Sequence, residues 1–298
     1  MPVIGILNVD KPAGWSSRDV VNRVERLVQP AKAGHAGTLD PLATGVLVIC
    51  VGQATRLIQY VQRKRKRYRA TFLFGRRSDS DDIEGDVCVL ADAPVATRGA
   101  IEKVLPRFLG EIHQRPPAYS ALKVAGRRAY ELARRGVAVE LGSRAVVVYG
   151  LSIVRFEYPE LELDIECGSG MYVRALGRDL AESLGTAAVM AELRRTAIGG
   201  YRVEDAVPID VLSTKTLAEH LQSPLTAVAD LPRATLSDAE LVEIRHGRPI
   251  AMPGSGPGGP TVEDADWAAT NSAGELVAIL REKHAGELWP THNFGDRF

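Results

Sequence analysis

Two alternating stretches, Ala145 to Tyr158 and Leu161 to Cys167, flank Pro159-Glu160, and this hairpin constrains the fold most. So short a connection requires the two strands to pair antiparallel, because a parallel pair needs a crossover of a dozen or more residues. Tyr68 to Phe74 alternates in the same way: Tyr68, Ala70, Phe72 and Phe74 share one face, and Arg69, Thr71 and Leu73 the other. Val46 to Val51 is instead a continuous apolar run, the pattern of a strand covered on both faces. Val3 to Val9 reads as a further short strand. Helices are predicted from Ser16 or Ser17 to Val28, over Ala54 to Val61, after Thr97, around Tyr130 to Arg135, over Tyr172 to Leu184, and from Thr186 through Arg195. Pro30 to Pro41 reads as a glycine-containing loop. Strands outnumber helices without strict βαβ alternation. This predicts an α+β fold whose central sheet is mixed, largely antiparallel and flanked by helices. With 298 residues, 45% of them hydrophobic, the chain can form one large domain or two unequal ones. Composition shifts after about Ala229, and Met252 to Pro260 is a Gly/Pro loop between an expected helix (Ala234 to Gly247) and an expected strand (Glu275 to Leu280). The boundary is therefore placed between a domain of residues 1–229 and a small module of residues 230–298.

No apolar run approaches the roughly 18 residues of a membrane span. The stretch Met1 to Asn8 lacks a basic segment ahead of its apolar residues, so no signal peptide is predicted and a cytoplasmic location is expected. Cys50, Cys88 and Cys167 are scattered and form no CxxC pair, and the six histidines show no ligand spacing, so no metal site is predicted. Net charge is formally zero, but Arg63-Lys64-Arg65-Lys66-Arg67 is an unbroken basic run. Lys123, Arg127 and Arg128, Arg134-Arg135 and Arg194-Arg195 are further clusters. Such patches either grip phosphates or form solvated faces.

The loop Gly34-His35-Ala36-Gly37-Thr38-Leu39-Asp40-Pro41 leads into the apolar strand. Its glycines and Pro41 shape a tight turn, and the strand behind it would hold the Asp40 carboxylate rigidly. A lone Asp-Pro is ordinarily only a turn former. This one has companions. Lys11-Pro12-Ala13-Gly14-Trp15-Ser16-Ser17 precedes it. Lys66-Arg67-Tyr68-Arg69, Gly75-Arg76-Arg77-Ser78-Asp79-Ser80-Asp81-Asp82 and Pro116 to Gly126 follow, then Gly170-Met171-Tyr172-Val173-Arg174 and Leu193-Arg194-Arg195-Thr196. In this order the elements resemble the TruB-type tRNA pseudouridine synthases over residues 3 to about 210. Ala36, Met171 and Ala197 depart from the residues frequent in that family, and none of these changes removes a chemical group.

The resemblance implies the pseudouridine synthase fold, a small β-rich PUA-like RNA-binding C-terminal module, and isomerisation of uridine 55 in the T-loop of tRNA. The N-glycosidic bond breaks, uracil turns over, and a carbon–carbon bond forms to the same ribose. No redox, hydrolytic or phosphoryl step is involved, so no cofactor is expected. Asp40 is the implied nucleophile, as a carboxylate is in retaining glycosidases. Attack on the ribose, attack on the ring and abstraction of a ribose proton are all open to it. A dry pocket disfavours an ionised carboxylate unless a cation is near, and Arg174 is the implied partner. The base must leave its stack to react. Tyr68 is implied to stack on it and to accept a late proton, although pattern alone reads Tyr68 as core. Leu193 and Tyr172 are implied pocket residues, His35 a filler of the space left by the flipped base, and Lys11 a support for the loop or a contact to RNA backbone. Lys64, Lys66, Arg127 and Arg128 are candidates for the RNA backbone. The expected partner is the tRNA T stem-loop, met by a monomer with no obligatory protein partner. A guide-RNA-dependent relative and a tRNA chaperone are the alternatives. The acidic stretch Asp79 to Glu84 is expected to be a mobile polar loop.

Overall fold

The predicted hairpin organises one half of the molecule. The computed structural model describes residues 3–117, 119, 123–124, 127–128, 141–253, 265–284 and 286–294. Its main sheet uses β1 (Gly5–Lys11), β2 (Ala33–His35), β3 (Thr44–Val51), β4 (Lys66–Phe74) and β7 (Gly110–Gln114), with β10 (Arg144–Glu157), β11 (Glu160–Cys167), β12 (Ala188–Ile198), β13 (Tyr201–Arg202) and β14 (Val207–Pro208). Between these lie two short ribbons, β5 (Arg76–Arg77) with β6 (Cys88–Val89), and β8 (Lys123–Val124) with β9 (Arg127–Arg128). The strand order is β14-β1-β3-β12-β4-β11-β10-β7, with β2 beside β3 and β13 beside β12. Among the described pairings of this sheet only β1–β14 and β3–β12 are parallel.

The two hydrophobic patterns mark two different halves. β1 and β3 are covered on both sides. The amphipathic helix Ser17–Val28 lays Val20, Val21, Val24 and Val28 against Leu7, Val9, Leu47 and Ile49. Val46, Val48 and Cys50 face Tyr60, Val61, Ala227 and Val228 on the opposite side. A run buried on both faces has no polar positions, which explains Val46 to Val51. Across β12 the described residues cover the sheet on one face only. Phe72, Leu161 and Leu163 meet Leu176 and Leu180 of the helix Val173–Glu182. The outer face carries Arg67 and Arg69, and the strands alternate accordingly.

Several local predictions hold. Ser16 caps the first helix in a reciprocal capping box with Asp19, and Thr97 caps Arg98–Val104. The stretch after Thr186 corrects its prediction: it is strand β12, not a helix. Ala187, Ala188, Met190, Glu192 and Leu193 favour helix locally. Insertion between β3 and β4 at the centre of the sheet outweighs that weak preference. Within the expected loop Pro30 to Pro41, Ala33–His35 pairs with β3. The helix expected around Tyr130 to Arg135 and most of the Gly/Pro loop after Met252 lie outside the described residues.

At the C-terminal end, β15 (Arg233–Thr235), β16 (Ile250–Ala251), β17 (Asp266–Thr270), β18 (Leu276–His284) and β19 (Glu287–Asn293) form a second sheet in the order β15-β17-β18-β19-β16. It does not stand apart. Ala268, Leu276, Ile279 and Phe294 share one core with Ile6, Val46 and Tyr60 of the first domain.

Candidate active site

β12 lies between β3 and β4, and the chain entering β3 pairs closely with it at Arg194 and Arg195. At that entry Gly45 has φ 95°, and a Cβ there would lie 2.2 Å from the Arg195 carbonyl oxygen. Only glycine allows this approach. The turn just before it carries Asp40.

Every carbonyl from Gly37 to Pro41 accepts a hydrogen bond. Arg195 Nη2 donates to Gly37 O at 3.0 Å and Arg195 Nη1 to Thr38 O at 3.3 Å. Ser17 Oγ donates to Leu39 O (3.0 Å) and accepts from Leu39 N (2.8 Å). Ala43 N donates to Asp40 O at 3.0 Å. Lys11 Nζ (3.2 Å) and Gly14 N (2.8 Å) both donate to Pro41 O. The Lys11 to Ser17 element and the Arg195 strand are thus two halves of one cradle. Lys11 also donates to Pro12 O and Trp15 O and is wholly buried. Burial lowers its amine to about 8 against the pull of Asp40.

The Asp40 carboxylate points away from this cradle. Its Oδ2 lies 3.0 Å from Arg174 Nη2. Arg174, 5% exposed, sits in the first turn of the helix Val173–Glu182. Its other nitrogen, Nη1, lies 3.1 Å from Asp82 Oδ2 and donates to Ser80 O at 2.7 Å, while Nη2 also donates to Tyr119 O at 2.9 Å. One guanidinium therefore bridges two carboxylates. One turn later Arg178 Nη1 reaches Asp81 Oδ2 at 2.8 Å. The stretch expected to be a mobile acidic loop is consequently pinned: Asp82 and Ser80 are buried, and Ser80 Oγ and Glu84 N donate to Asp82 Oδ1. Two arginines spaced i, i+4 on one helix supply the counter-charge.

Asp40, Tyr68, Tyr172, Arg174 and Leu193 line one cleft of about 300 Å³, together with Lys66, Arg144 and Arg195. That volume suits a nucleoside-sized ligand. Tyr68 is buried. Burial pushes its phenol up, and the guanidinium of Arg195 partly opposes this through charge and a hydrogen bond. Tyr172 stands at the N-cap position of the helix without a side-chain cap bond, its ring beneath the Arg144 guanidinium at 4.7 Å, and its backbone exchanges two hydrogen bonds with the fully buried Gln114. His35 stands apart from this group, on β2 opposite Ile49, and burial lowers its imidazole.

The basic run divides between inward and outward residues, with Arg65 and Arg67 exposed. Alternation on β4 turns Lys66 inward, where it donates to Gln62 O. Lys64 is paired with Asp230. Arg67 meets Glu166 at 3.3 Å, and Arg69 meets Asp164 through two bonds of 3.0 Å. The side chains of Arg127 and Arg128 lie outside the described residues. Arg195, Asp82, Gln114 and Arg144 were not singled out from sequence as site residues. The adjacency of Arg194 and Arg195 concealed that one faces solvent and the other is buried.

Fold and site together define a class: an enzyme that presents an arginine-paired aspartate to a nucleoside-sized cleft beside the central strands of a mixed sheet. A chain from a structure titled "Crystal Structure of a Cbf5-Nop10-Gar1 Complex" is similar, with a TM-score of 0.71 and 26% identity over 95% of this chain and 79% of that one. The pattern described as "TruB family pseudouridylate synthase (N terminal domain)" matches residues 25–173. That of the "tRNA pseudouridylate synthase B C-terminal domain" matches residues 174–233. The tRNA pseudouridine synthase B of Arthrobacter sp. (strain FB24) is 43% identical over 286 residues, covering 93% of this chain and 92% of that protein. The protein of the same name from Sinorhizobium medicae (strain WSM419) is 39% identical over 304 residues, covering 98% and 96%. The chain belongs to the TruB family of pseudouridylate synthases.

Proposed function

We propose that this chain isomerises uridine 55 in the T-loop of tRNA to pseudouridine, as a standalone enzyme without a cofactor. The observation that carries the reading is the Asp40–Arg174 pair at 3.0 Å on a cleft of nucleoside size. The names of the bacterial relatives supply the substrate. The uridine leaves its stack and enters the cleft, where Tyr68 and Leu193 offer an aromatic face and an apolar wall. Asp40 acts as the nucleophile while Arg174, anchored by Asp82, holds the carboxylate in place. The C1′–N1 bond breaks, the ring rotates, and C5 bonds to C1′. N1 gains a proton and C5 loses one, so no co-reactant is consumed. Residues 1–229 carry the chemistry, and residues 230–298 form a PUA-like module that contacts RNA.

The test is incubation with unmodified tRNA, followed by chemical mapping of pseudouridine. Modification at position 55 is expected. Asp40→Asn is expected to retain tRNA binding and to form no product. Turnover by that variant, or modification elsewhere, overturns the assignment.

A further inference from the structure

Lys66 is a buried cation that the mechanism above leaves without a task. It is 6% exposed and lines the same cleft as Asp40 and Tyr68. On β4 it lies two residues before Tyr68 on the same face, about 7 Å along the strand. No carboxylate faces it among the described residues. The helix Ile58–Arg63 presents the Gln62 carbonyl, to which the ammonium donates. β11 presents Cys167 directly across the ladder, and burial pushes that thiol up to about 12, so it stays neutral. β12 presents Arg195, a like charge. An ammonium has three N–H donors, and one is used. Arg144 donates to Gly170 O and lies over the Tyr172 ring, with its Nε unpaired among the described residues, while the other two arginines of the cleft are occupied. Arg174 binds Asp40, Asp82 and two carbonyls, and Arg195 binds Val46 O and the catalytic loop.

The reaction requires a cation near the base whichever way it begins. If the C1′–N1 bond breaks, its electron pair leaves with uracil and the charge spreads onto O2 and O4. If Asp40 adds to the ring first, the enolate places charge on O4. A desolvated donor aimed at such an oxygen lowers the barrier because it strengthens as the charge develops. We infer that Lys66 is a catalytic residue whose ammonium stabilises the negative charge that develops on the uracil carbonyl oxygens. This rests on the proposed uridine chemistry.

Three measurements test it. In single-turnover reactions Lys66→Met is expected to lose about 100-fold or more in rate, with tRNA affinity and thermal melting close to the parent. An unchanged rate overturns the inference. Lys66→Arg keeps the charge and guards against misfolding of the methionine variant. Burial lowers the Lys66 amine to about 8, so the parent rate should fall as pH rises through that value. Lys66→Arg should remain active and lose this alkaline limb. Lys11 is lowered to the same value and stays intact in Lys66→Arg, so a limb that persists in that variant belongs to Lys11 and overturns the inference. If the parent itself forms no pseudouridine in tRNA, it is the proposed function that fails.

Discussion

Arg174 shows why a charge of the right sign is not enough. Its planar fork meets Asp40, Asp82, Ser80 O and Tyr119 O at once. A lysine is a compact point charge and cannot span that set. Arg174→Lys is therefore expected to lower the single-turnover rate at least about 100-fold while binding changes little. A loss of under tenfold would show that charge alone suffices. Arg195 acts on backbone instead: its removal takes the side-chain donor from the buried Val46 O, at a cost of about 1–3 kcal/mol, and from the partly buried Gly37 O and Thr38 O, where water can replace it at a smaller cost. Arg195→Met should lower the melting temperature and speed amide exchange across residues 37 to 41. At this scale the sequence was legible where chemistry is carried by an unusual neighbourhood, as around Asp40. It was illegible where burial decides the role. The alternation of β4, carried two residues back from Tyr68, separates Lys66 from Arg65 and Arg67, whereas nothing local distinguishes Arg195 from Arg194, because the strand state of β12 is set by its partners.

The helix Val173–Glu182 delivers both arginines, and its distance from the sheet is fixed by Gly177. A Cβ there would meet the Phe72 ring at 2.1 Å. Gly177→Ala must push the helix off the sheet, at about 1–3 kcal/mol. The same shift carries Arg174 away from Asp40, so activity should fall more than stability alone explains. Wild-type turnover by a fully folded Gly177→Ala protein would argue against this coupling. Elements with a complete local pattern were legible: the capping box at Ser16, the alternation on β4, the hairpin through Pro159. β12 was not. Its residues favour a helix, and its strand state comes entirely from β3 and β4, which are distant in sequence.

For the whole molecule, the boundary near Ala229 marks a change of composition but not a gap in the core. Phe294 and Ile279 complete a cluster begun by Ile6 and Val46. A fragment ending at 229 should expose that apolar surface and aggregate, as light scattering would reveal. The joint also contains a polar contact: Tyr60 donates to Asp266 Oδ2 at 2.8 Å and Arg281 to Oδ1 at 2.7 Å. Burial pushes the Asp266 carboxyl up, but these two hydrogen bonds outweigh it and hold the group below its ordinary 3.8. A depressed carboxyl adds stability that is present above the unfolded value and lost as pH falls through the folded one. Between about pH 7 and about pH 3 the parent should therefore lose more resistance to urea than Asp266→Asn does. Equal losses would remove Asp266 from the account.

The cradle beneath Asp40 bears on how RNA binding energy is spent. Drawing a nucleotide out of its stack costs a few kcal/mol. A loop that had to order itself at the same time would add its own conformational entropy, about 1–2 kcal/mol per residue. Here Gly37 to Pro41 is already tied at every carbonyl. On the proposed function, the contact energy of the RNA then goes into deforming the RNA, with the protein as a rigid die against which the more pliable partner is shaped.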